Sequence, residues 1–182
     1  MRSKNTRWRA TRLSCLEHSV GFPPIARPVA RVLVLGCLPG AKSIAEQQYY
    51  AHAQNAFWPI MHELFGIEGD YASRCAQLRE NRLALWDVLR SSVRPGSMDA
   101  DIQLSSAVAN DFRGFLAVHA DIRLIVFNGK KAEQLFTRFV DAGDVATDIE
   151  RRGMPSTSPA YASMPFSGKL AVWRAALVSE KS

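Results

Sequence analysis

The stretch that decides the fold is RVLVLGCLPG, residues 31–40. Its first half is continuously apolar and rich in β-branched residues, as in a strand that is buried on both faces of a sheet. Its second half contains Gly36, Pro39 and Gly40, and this composition predicts a tight turn directly after the strand. Strands of this kind belong to parallel sheets, in which ligands bind beyond the carboxyl ends of the strands.

The rest of the chain alternates apolar runs with helical periodicity. Apolar runs predict a second buried strand over 83–89 and a third over 122–127, and a short polar strand is predicted over 147–150. Helices are predicted over 44–47, 57–65, 71–81, 105–119, 130–140 and 167–178, with Ser43 as the N-cap of the first and Ser105 or Ser106 opening the fourth. This alternation predicts an α/β fold with helices on both faces of a parallel sheet.

The composition is typical of one globular domain, with 182 residues, of which 47% are hydrophobic and 22% are charged. The net charge of +6 is unevenly distributed, because residues 1–30 carry +5 and residues 31–182 carry +1. We therefore expect a basic, flexible N-terminal arm over residues 1–20 and a single domain over residues 21–182. A basic arm favours a polyanionic partner.

Several classes of protein are excluded by simple patterns. No apolar run reaches the roughly 18–20 residues of a membrane span, and the basic N-terminus lacks the apolar core of a secretory signal. The three cysteines, Cys15, Cys37 and Cys75, form no CxxC pair, so we expect no zinc or iron–sulfur site. Reduced thiols are typical of a cytoplasmic protein, and this is the location we expect.

Three loops beside the predicted strands and helices carry unusual chemistry. The segment QQYYAHAQNAFW, residues 47–58, is dense in amides and flat rings, which stack on bases and hydrogen-bond their edges. The segment NGKK, residues 128–131, opens a helix whose N-terminus attracts anions, or forms only a solvated first turn. The segment PSTSP, residues 155–159, offers hydroxyl and N–H groups suited to a phosphate, or forms a plain turn before a helix.

Two hydrolase signatures are absent from the chain. There is no G-x-S-x-G nucleophile elbow and no G-x-x-x-x-G-K-[ST] phosphate loop. Cys37 follows the first strand and is a candidate thiol nucleophile, but the spacing provides no partner histidine. A plain buried cysteine is therefore the favoured interpretation.

Six segments, taken in order, resemble the hypoxanthine-DNA glycosylases, a branch of the uracil-DNA glycosylase superfamily. They are VLVLGCLPG, QQYYAHAQNAFW, ALWDVLRSSVRPGSMDADI, NDFRGFL, IVFNGKKAEQLF and MPSTSPAYA. The match runs from about residue 21 to residue 173. The resemblance implies a three-layer α/β/α fold around a central, mainly parallel four-stranded sheet. It also implies excision of a deaminated base, chiefly hypoxanthine, from DNA without a metal or a cofactor, so that an abasic site remains.

The resemblance implies a catalytic role for Asn55, the asparagine of the segment that ends in N-x-F-W. Most of the superfamily has an Asp or Asn two residues after the leading glycine of the first motif, where this chain has Leu38. An amide is too weak a base to take a proton, but its carbonyl oxygen can hold a water at the anomeric carbon. We therefore expect Asn55 to position the attacking water.

The other site residues follow from the same resemblance. Phe57 is expected to stack on the flipped base. Asp87 is expected to accept from hypoxanthine N1–H, to donate to a ring acceptor if protonated, or to serve only as a turn carboxylate. The predicted base pocket comprises Leu38, Phe57, Asp87 and Asn128. The predicted DNA contacts are Ser43, Lys130, Ser156, Thr157 and Ser158, and the predicted loop supports are Gly36, Pro39, Gly40, Tyr50 and His52.

Three departures from the family pattern bear on catalytic efficiency. Residues 52–55 read HAQN where the family commonly has His-Pro-Arg-Asn, so a stiffening proline and a phosphate-binding arginine are missing. The first motif has Cys37 where serine is common, and the PSTSP segment lacks the histidine that is usual in the superfamily. Uracil or a mismatched thymine as the main substrate therefore stays open, and so does a relative that binds damaged DNA without cutting it. The expected partner is double- or single-stranded DNA with a deaminated base. We expect the protein to act as a monomer and to have no membrane partner.

Removal of residues 1–20 is expected to flatten the salt dependence of DNA binding, because each lost phosphate contact lowers the log–log slope by about 1. Fluorescence anisotropy with a labelled duplex at several salt concentrations measures this slope. Single-turnover excision at low salt is the control and should stay unchanged. An unchanged slope would leave the arm without a role in binding.

Overall fold

The computed structural model describes residues 18–96 and 98–178. This part of the chain contains the strands β1 His18–Val20, β2 Val32–Gly36, β3 Leu83–Asp87, β4 Leu89–Val93, β5 Val108–Ala109, β6 Leu124–Asn128 and β7 Glu150–Met154. Its helices are α1 Ala41–Glu46, α2 Phe57–Phe65, α3 Tyr71–Glu80, α4 Phe112–Val118, α5 Lys130–Phe139 and α6 Phe166–Leu177. Most of the predicted basic arm, residues 1–17, lies outside the described residues.

The central sheet has four parallel strands in the order β3-β2-β6-β7, which confirms the predicted fold class. The strands β2 and β3 lie in register, so that Gly36 pairs with Asp87. Asn128 ends β6 on the other side of β2. The carboxyl ends of three neighbouring strands therefore meet at one edge of the sheet.

Side chains alternate between the two faces of the sheet, and each face has its own core. On one face, Leu33 and Leu35 of β2 lie in a cluster with Phe112 and Phe115 of α4 and with residues of α5. The opposite face carries Val32, Val34 and residues of β3 and β6, which pack with α2, α3 and α6. Because helices cover both faces, the central strands are apolar up to their last residues, as the sequence predicted.

A second sheet, with the antiparallel order β1-β4-β5, was not predicted from the sequence. The apolar run 83–89 is not one strand: it breaks at Val88, whose N–H donates to the Gly36 carbonyl, and the chain then leaves the central sheet. The strand β1 pairs with β4, so the boundary predicted for the arm is wrong for residues 18–20, and a deletion that tests the arm should end at residue 17. This second sheet carries the segment that follows β4 to the edge of the site.

Local hydrogen bonds explain the remaining differences from prediction. Gly40, not Ser43, stands at the N-cap of α1, and Ser43 is a buried residue inside that helix. The helix predicted from residue 105 begins at Phe112, because Asp111 caps it by accepting from the Gly114 N–H. Ser106 instead accepts from the Val93 N–H beside a short 3₁₀ turn.

The last strand, β7, begins at Glu150, where the sequence predicted a strand to end. The N–H of Glu150 donates to the Arg123 carbonyl at 2.8 Å, which sets β7 beside β6 from that residue onwards. The strand lies at the edge of the sheet, so only Met154 is fully buried and the apolar pattern is too weak to mark its bounds. Within the described residues, no helix combines the length and apolarity needed to cross a membrane.

Candidate active site

A cavity of about 690 Å³ lies at the carboxyl ends of β2, β3 and β6. The turn after β2, residues 36–40, forms one wall, and the segment 155–159 contributes to another. The predicted site residues that line it are Gly36, Leu38, Pro39, Gly40, Ser43, Tyr50, His52, Asn55, Asp87, Asn128, Ser156, Thr157 and Ser158. The topology therefore brings almost all of the predicted residues to one place, as parallel sheets do at this edge.

The floor of the cavity depends on the missing side chain of Gly36. A Cβ at this position would lie 2.5 Å from Asp87 Oδ1 and 3.1 Å from the Tyr50 hydroxyl oxygen. Only glycine leaves room for both polar groups to approach the end of β2. Gly36 therefore supports the site through the space that it leaves open.

Asp87 is buried on this floor, and its Oδ2 has no hydrogen-bond partner. Burial and, to a smaller extent, the nearby charge of Asp99 raise the pKa of the Asp87 carboxyl to about 8, against the opposing charge of Arg94. A carboxyl with this pKa is largely protonated at neutral pH, because removal from water disfavours the charged form. The carboxyl can then donate a hydrogen bond into the cavity.

Phe57 does not line the cavity, so the prediction that a base stacks on it is wrong for this structure. Its ring is wholly buried between Trp58 and Trp173, and the Tyr50 ring packs against it in a tilted arrangement, at a centroid distance of 4.3 Å and an angle of 35°. The helix α2 begins at Phe57, and the first turn of the helix directs the ring into the core. The aromatic residues that line the cavity are instead Tyr49, Tyr50 and Tyr161.

Tyr50 is held in an unusual conformation, with a φ of +54°. Non-glycine residues rarely adopt this left-handed region, and such positions cluster at functional sites. Its hydroxyl oxygen is buried without a hydrogen-bond partner. Burial, followed by the charge of Asp87, raises the pKa of the Tyr50 phenol far above its usual value, so the group stays neutral.

Asn55 is fixed at the start of α2. Its Oδ1 accepts from the Phe57 N–H at 2.9 Å, and its own N–H donates to the His52 carbonyl at 2.8 Å. Within the described residues, its Nδ2 forms no hydrogen bond, and one acceptor position of Oδ1 is left over. The side chain is therefore oriented by the backbone while its amide still has donors and an acceptor for a ligand.

Thr157 and Asn128 are hydrogen-bonded to each other, and Thr157 has little exposed surface for the DNA phosphate contact predicted for it. Thr157 is 1% exposed, its N–H donates to Asn128 Oδ1 at 2.8 Å, and its hydroxyl accepts from Asn128 Nδ2 at 2.8 Å. Its carbonyl also accepts from the Ala56 N–H at 2.9 Å. These bonds tie the segment 155–159 both to the end of β6 and to the loop that carries Asn55.

Thr157→Val is expected to lower the free energy of unfolding by about 1–2 kcal/mol, because the buried Asn128 amide loses its acceptor. Thermal or urea unfolding measures the loss. Thr157→Ser keeps the hydroxyl and is the matched control, which should lose less. Equal stability of the valine variant and the wild type would contradict the structural role of this hydrogen bond.

The other predicted DNA contacts differ in exposure. Ser156 and Ser158 are partly exposed, and their hydroxyl oxygens accept from N–H groups two residues ahead, at 3.2 Å in each case. Ser43 is buried, and its hydroxyl oxygen accepts from the Ala51 N–H at 3.3 Å, so it braces the loop before Asn55. Lys130 is exposed in the first turn of α5 but does not line the cavity.

Two charged residues at the site were not predicted from the sequence. Arg94 is 2% exposed and donates to the carbonyl oxygens of Leu38 and Pro39, with Nη1 3.9 Å from Asp99 Oδ1. Asp99 itself lines the cavity. Both residues lie in a turn-rich segment with no apolar periodicity. The one available signal in the sequence was the position of Arg94 directly before Pro95 and Gly96.

A buried lysine supports the segment 155–159 from α6. Lys169 is 5% exposed, its Nζ donates to the Ser158 carbonyl at 3.4 Å, and it lies 5.3 Å from the centre of the Tyr161 ring. Burial lowers the pKa of its amine. The helical pattern of the sequence predicted only apolar contacts for this helix and therefore missed the lysine.

Two other kinds of chemistry can be compared with the structure: a thiol nucleophile at Cys37 and a bound metal ion. Burial, together with the charge of Asp99, raises the pKa of the Cys37 thiol well above its usual value, so the residue is not a thiolate nucleophile. Among residues 18–96 and 98–178, no group of three or more His, Cys, Asp or Glu side chains is arranged to hold a metal ion.

Comparisons with known proteins agree with this architecture. The family model described as the uracil DNA glycosylase superfamily matches residues 23–177. A solution NMR structure from Methanosarcina acetivorans, described provisionally as a uracil DNA glycosylase, superposes with a TM-score of 0.73 at 30% sequence identity. The superposition covers 91% of this chain and 100% of the other.

Two curated proteins are similar in sequence, and both are named hypoxanthine DNA glycosylase. The protein from Methanosarcina acetivorans is 37% identical over 115 residues, and that from Methanosarcina barkeri is 35% identical over 115 residues. Each alignment covers 62% of this chain and 72% of the relative.

Proposed function

The chain belongs to the uracil DNA glycosylase superfamily, and from this premise we propose that it is a monofunctional DNA glycosylase that excises hypoxanthine. The observation that carries the proposal is the cavity of about 690 Å³ at the sheet edge, with the oriented amide of Asn55 in its lining. This volume lies within the range of small-molecule pockets and accommodates a flipped purine. The reaction leaves an abasic site and an intact DNA strand.

The chemistry of the lining supports hydrolysis of an N-glycosidic bond. As the bond to the base breaks, the sugar acquires oxocarbenium character and a water must approach C1′. Asn55 holds that water by its amide, and its hydrogen bond to the Phe57 N–H keeps the amide from rotating. Positioning of this kind lowers the barrier without a proton transfer to the amide.

The base enters a pocket with one apolar wall and a polar floor. Leu38 and Tyr50 form apolar surface, while Asp87 and Asn128 lie at the strand ends. Ser156 and Ser158 lie in the partly exposed segment that Lys169 supports, and we propose that their hydroxyl groups contact backbone phosphates of the DNA. We also propose that the protein acts as a monomer in the cytoplasm, where its free thiols and its DNA substrate coexist.

A panel of oligonucleotides, each with one deoxyinosine, deoxyuridine or G:T mismatch, tests the proposal. The expected result is an alkali-labile product from the deoxyinosine strand and no strand cleavage before alkali treatment. Faster cleavage of the deoxyuridine strand would instead support the activity in the description of the structural relative. Binding of these duplexes without any alkali-labile product would overturn the proposal.

A further inference from the structure

Two buried polar atoms in the lining of the cavity lack hydrogen-bond partners. Four such side-chain atoms occur in the described residues, and two of them, Asp87 Oδ2 and the Tyr50 hydroxyl oxygen, belong to residues that line the cavity. Asp87 Oδ1 and the Tyr50 hydroxyl oxygen also approach the same point beside Gly36, where a Cβ is missing. Buried polar atoms are nearly always hydrogen-bonded in folded proteins, so an unpartnered pair on the floor of a cavity indicates a ligand that supplies the partner.

We propose that Asp87 is a second catalytic residue, which in its protonated form donates to the acceptor edge of the departing purine, where N7 and O6 lie side by side. This proposal rests on the proposed function and adds a catalytic acid to the water-positioning amide of Asn55. The two residues act at opposite ends of the reacting bond: Asn55 positions the water at C1′, and Asp87 donates a proton to the leaving base.

Protonation of Asp87 at neutral pH follows from its surroundings. It is 4% exposed, and burial raises the pKa of its carboxyl to about 8. The negative charge of Asp99 acts in the same direction, whereas the cation of Arg94, held against the turn after β2, acts in the opposite direction. An ionised carboxylate in this position would repel the electron density that builds up on the base as it leaves.

The step balances without a metal or a cofactor. The C1′–N9 bond breaks, and its electron pair moves into the purine ring. The proton of the Asp87 carboxyl moves to N7 or is shared with O6, so the base departs as neutral hypoxanthine. The water oxygen bonds to C1′ and releases one proton to solvent, and the Asp87 carboxylate takes a proton from solvent before the next turnover.

Several other charged and titratable groups surround Asp87, and their pKa values must be compared with the value of about 8 for Asp87. Burial raises the pKa values of Cys37, Tyr49 and Tyr50 far above this pH. Arg94 and Lys131 are cations, and Asp99 is a more exposed acid whose pKa is also raised by burial, against its hydrogen bond with Cys37 and the charges of Arg94 and Lys131. His52 lines the outer part of the cavity and therefore needs its own control variant.

Single-turnover excision of hypoxanthine, measured with saturating enzyme from pH 5.5 to 9.5, tests the assignment. For the wild type, we expect the rate to fall as pH rises through the pKa of Asp87. Asp87→Asn keeps the shape and a hydrogen-bond donor but has no proton to transfer, and it should be slower by about 100-fold at pH 7. Because hypoxanthine itself loses its N1 proton in alkaline solution, the comparison between variants is the informative quantity.

Asp99→Asn tests the protonation of Asp87 most directly, because it changes a charge beside Asp87 without changing Asp87 itself. It removes a negative charge that raises the pKa of Asp87, so the alkaline limb of the profile should move to lower pH while the fold is retained. A group that only shapes the pocket would not produce this shift. The His52→Gln variant should keep the wild-type position of the limb.

Thermal unfolding supplies a readout that does not depend on activity. A carboxyl whose folded pKa is raised stabilises the fold fully below its unfolded pKa, and this contribution is lost as pH rises through the folded pKa. The Tm of the wild type should therefore fall relative to that of Asp87→Asn between about pH 4 and pH 8.

The outcomes separate this inference from the proposed function. If the wild type releases no hypoxanthine, the proposed function fails and the unfolding comparison still reports the protonation of Asp87. If the wild type is active but Asp87→Asn matches it in rate and in alkaline limb, the catalytic role of Asp87 is overturned. An unmoved limb in Asp99→Asn would overturn it as well.

Discussion

Asn55→Ala is expected to reduce the single-turnover rate of hypoxanthine excision by about 100- to 1,000-fold, because one oriented polar group at a reacting centre is worth about that much. The substitution removes the amide that lines the cavity and the acceptor for the Phe57 N–H at the start of α2. Loss of that acceptor also lowers the free energy of unfolding by about 1 kcal/mol, the typical contribution of one hydrogen bond. The rate is measured with a deoxyinosine duplex and saturating enzyme.

Asn55→Asp separates the effect of Asn55 on catalysis from its effect on the stability of the fold. The carboxylate still accepts from the Phe57 N–H, so the stability should be close to that of the wild type. The side chain no longer has the Nδ2 donor, and its negative charge alters the approach of water to C1′. Wild-type rates in both the alanine and the aspartate variant would remove Asn55 from the mechanism.

Arg94→Met is expected to lower the free energy of unfolding by about 3 kcal/mol, because two buried carbonyl groups lose their donors. The guanidinium of Arg94 donates to the carbonyl oxygens of Leu38 and Pro39 in the turn after β2. Methionine fills much of the same volume without a donor, so the loss reports the hydrogen bonds rather than a cavity. For a domain of this size, the Tm should fall by about 6–12 °C.

Arg94→Lys is the matched control for charge. A lysine keeps the cation near Asp99 but lacks the planar fork that reaches two carbonyl groups at once. Urea unfolding should therefore place the lysine variant between the wild type and the methionine variant. Identical unfolding curves for all three proteins would contradict the role of Arg94 in holding the turn.

Much of the candidate site was predictable because it follows strand ends. Gly36, Asp87 and Asn128 each end a buried strand, and parallel strands bring such residues to one edge. The loop with Asn55 was predictable from its unusual density of amides and rings. The buried states of Phe57 and Thr157 were not, since both depend on packing against segments far away in the sequence.

The elements of the fold also divide into those that local sequence patterns predict and those that depend on contacts between distant residues. Strongly apolar runs located β2 and β6 to within two residues, and helical spacing located α2 and α5 to within one. The second sheet was missed because β4 continues the apolar run of β3 without a break in composition. β3 ends at Asp87, opposite Gly36 at the end of β2, and no local pattern in the apolar run records that pairing.

The sequence by itself determined the α/β class, the order of the elements and the family resemblance, because these depend on periodicity and on short motifs along the chain. Only the tertiary structure decided which polar groups line the cavity. Arg94 contacts Leu38 across 56 residues of chain, and Tyr50 rather than Phe57 lines the cavity. The protonation of Asp87 is likewise set by burial and by neighbouring charges, which exist only after the chain has folded.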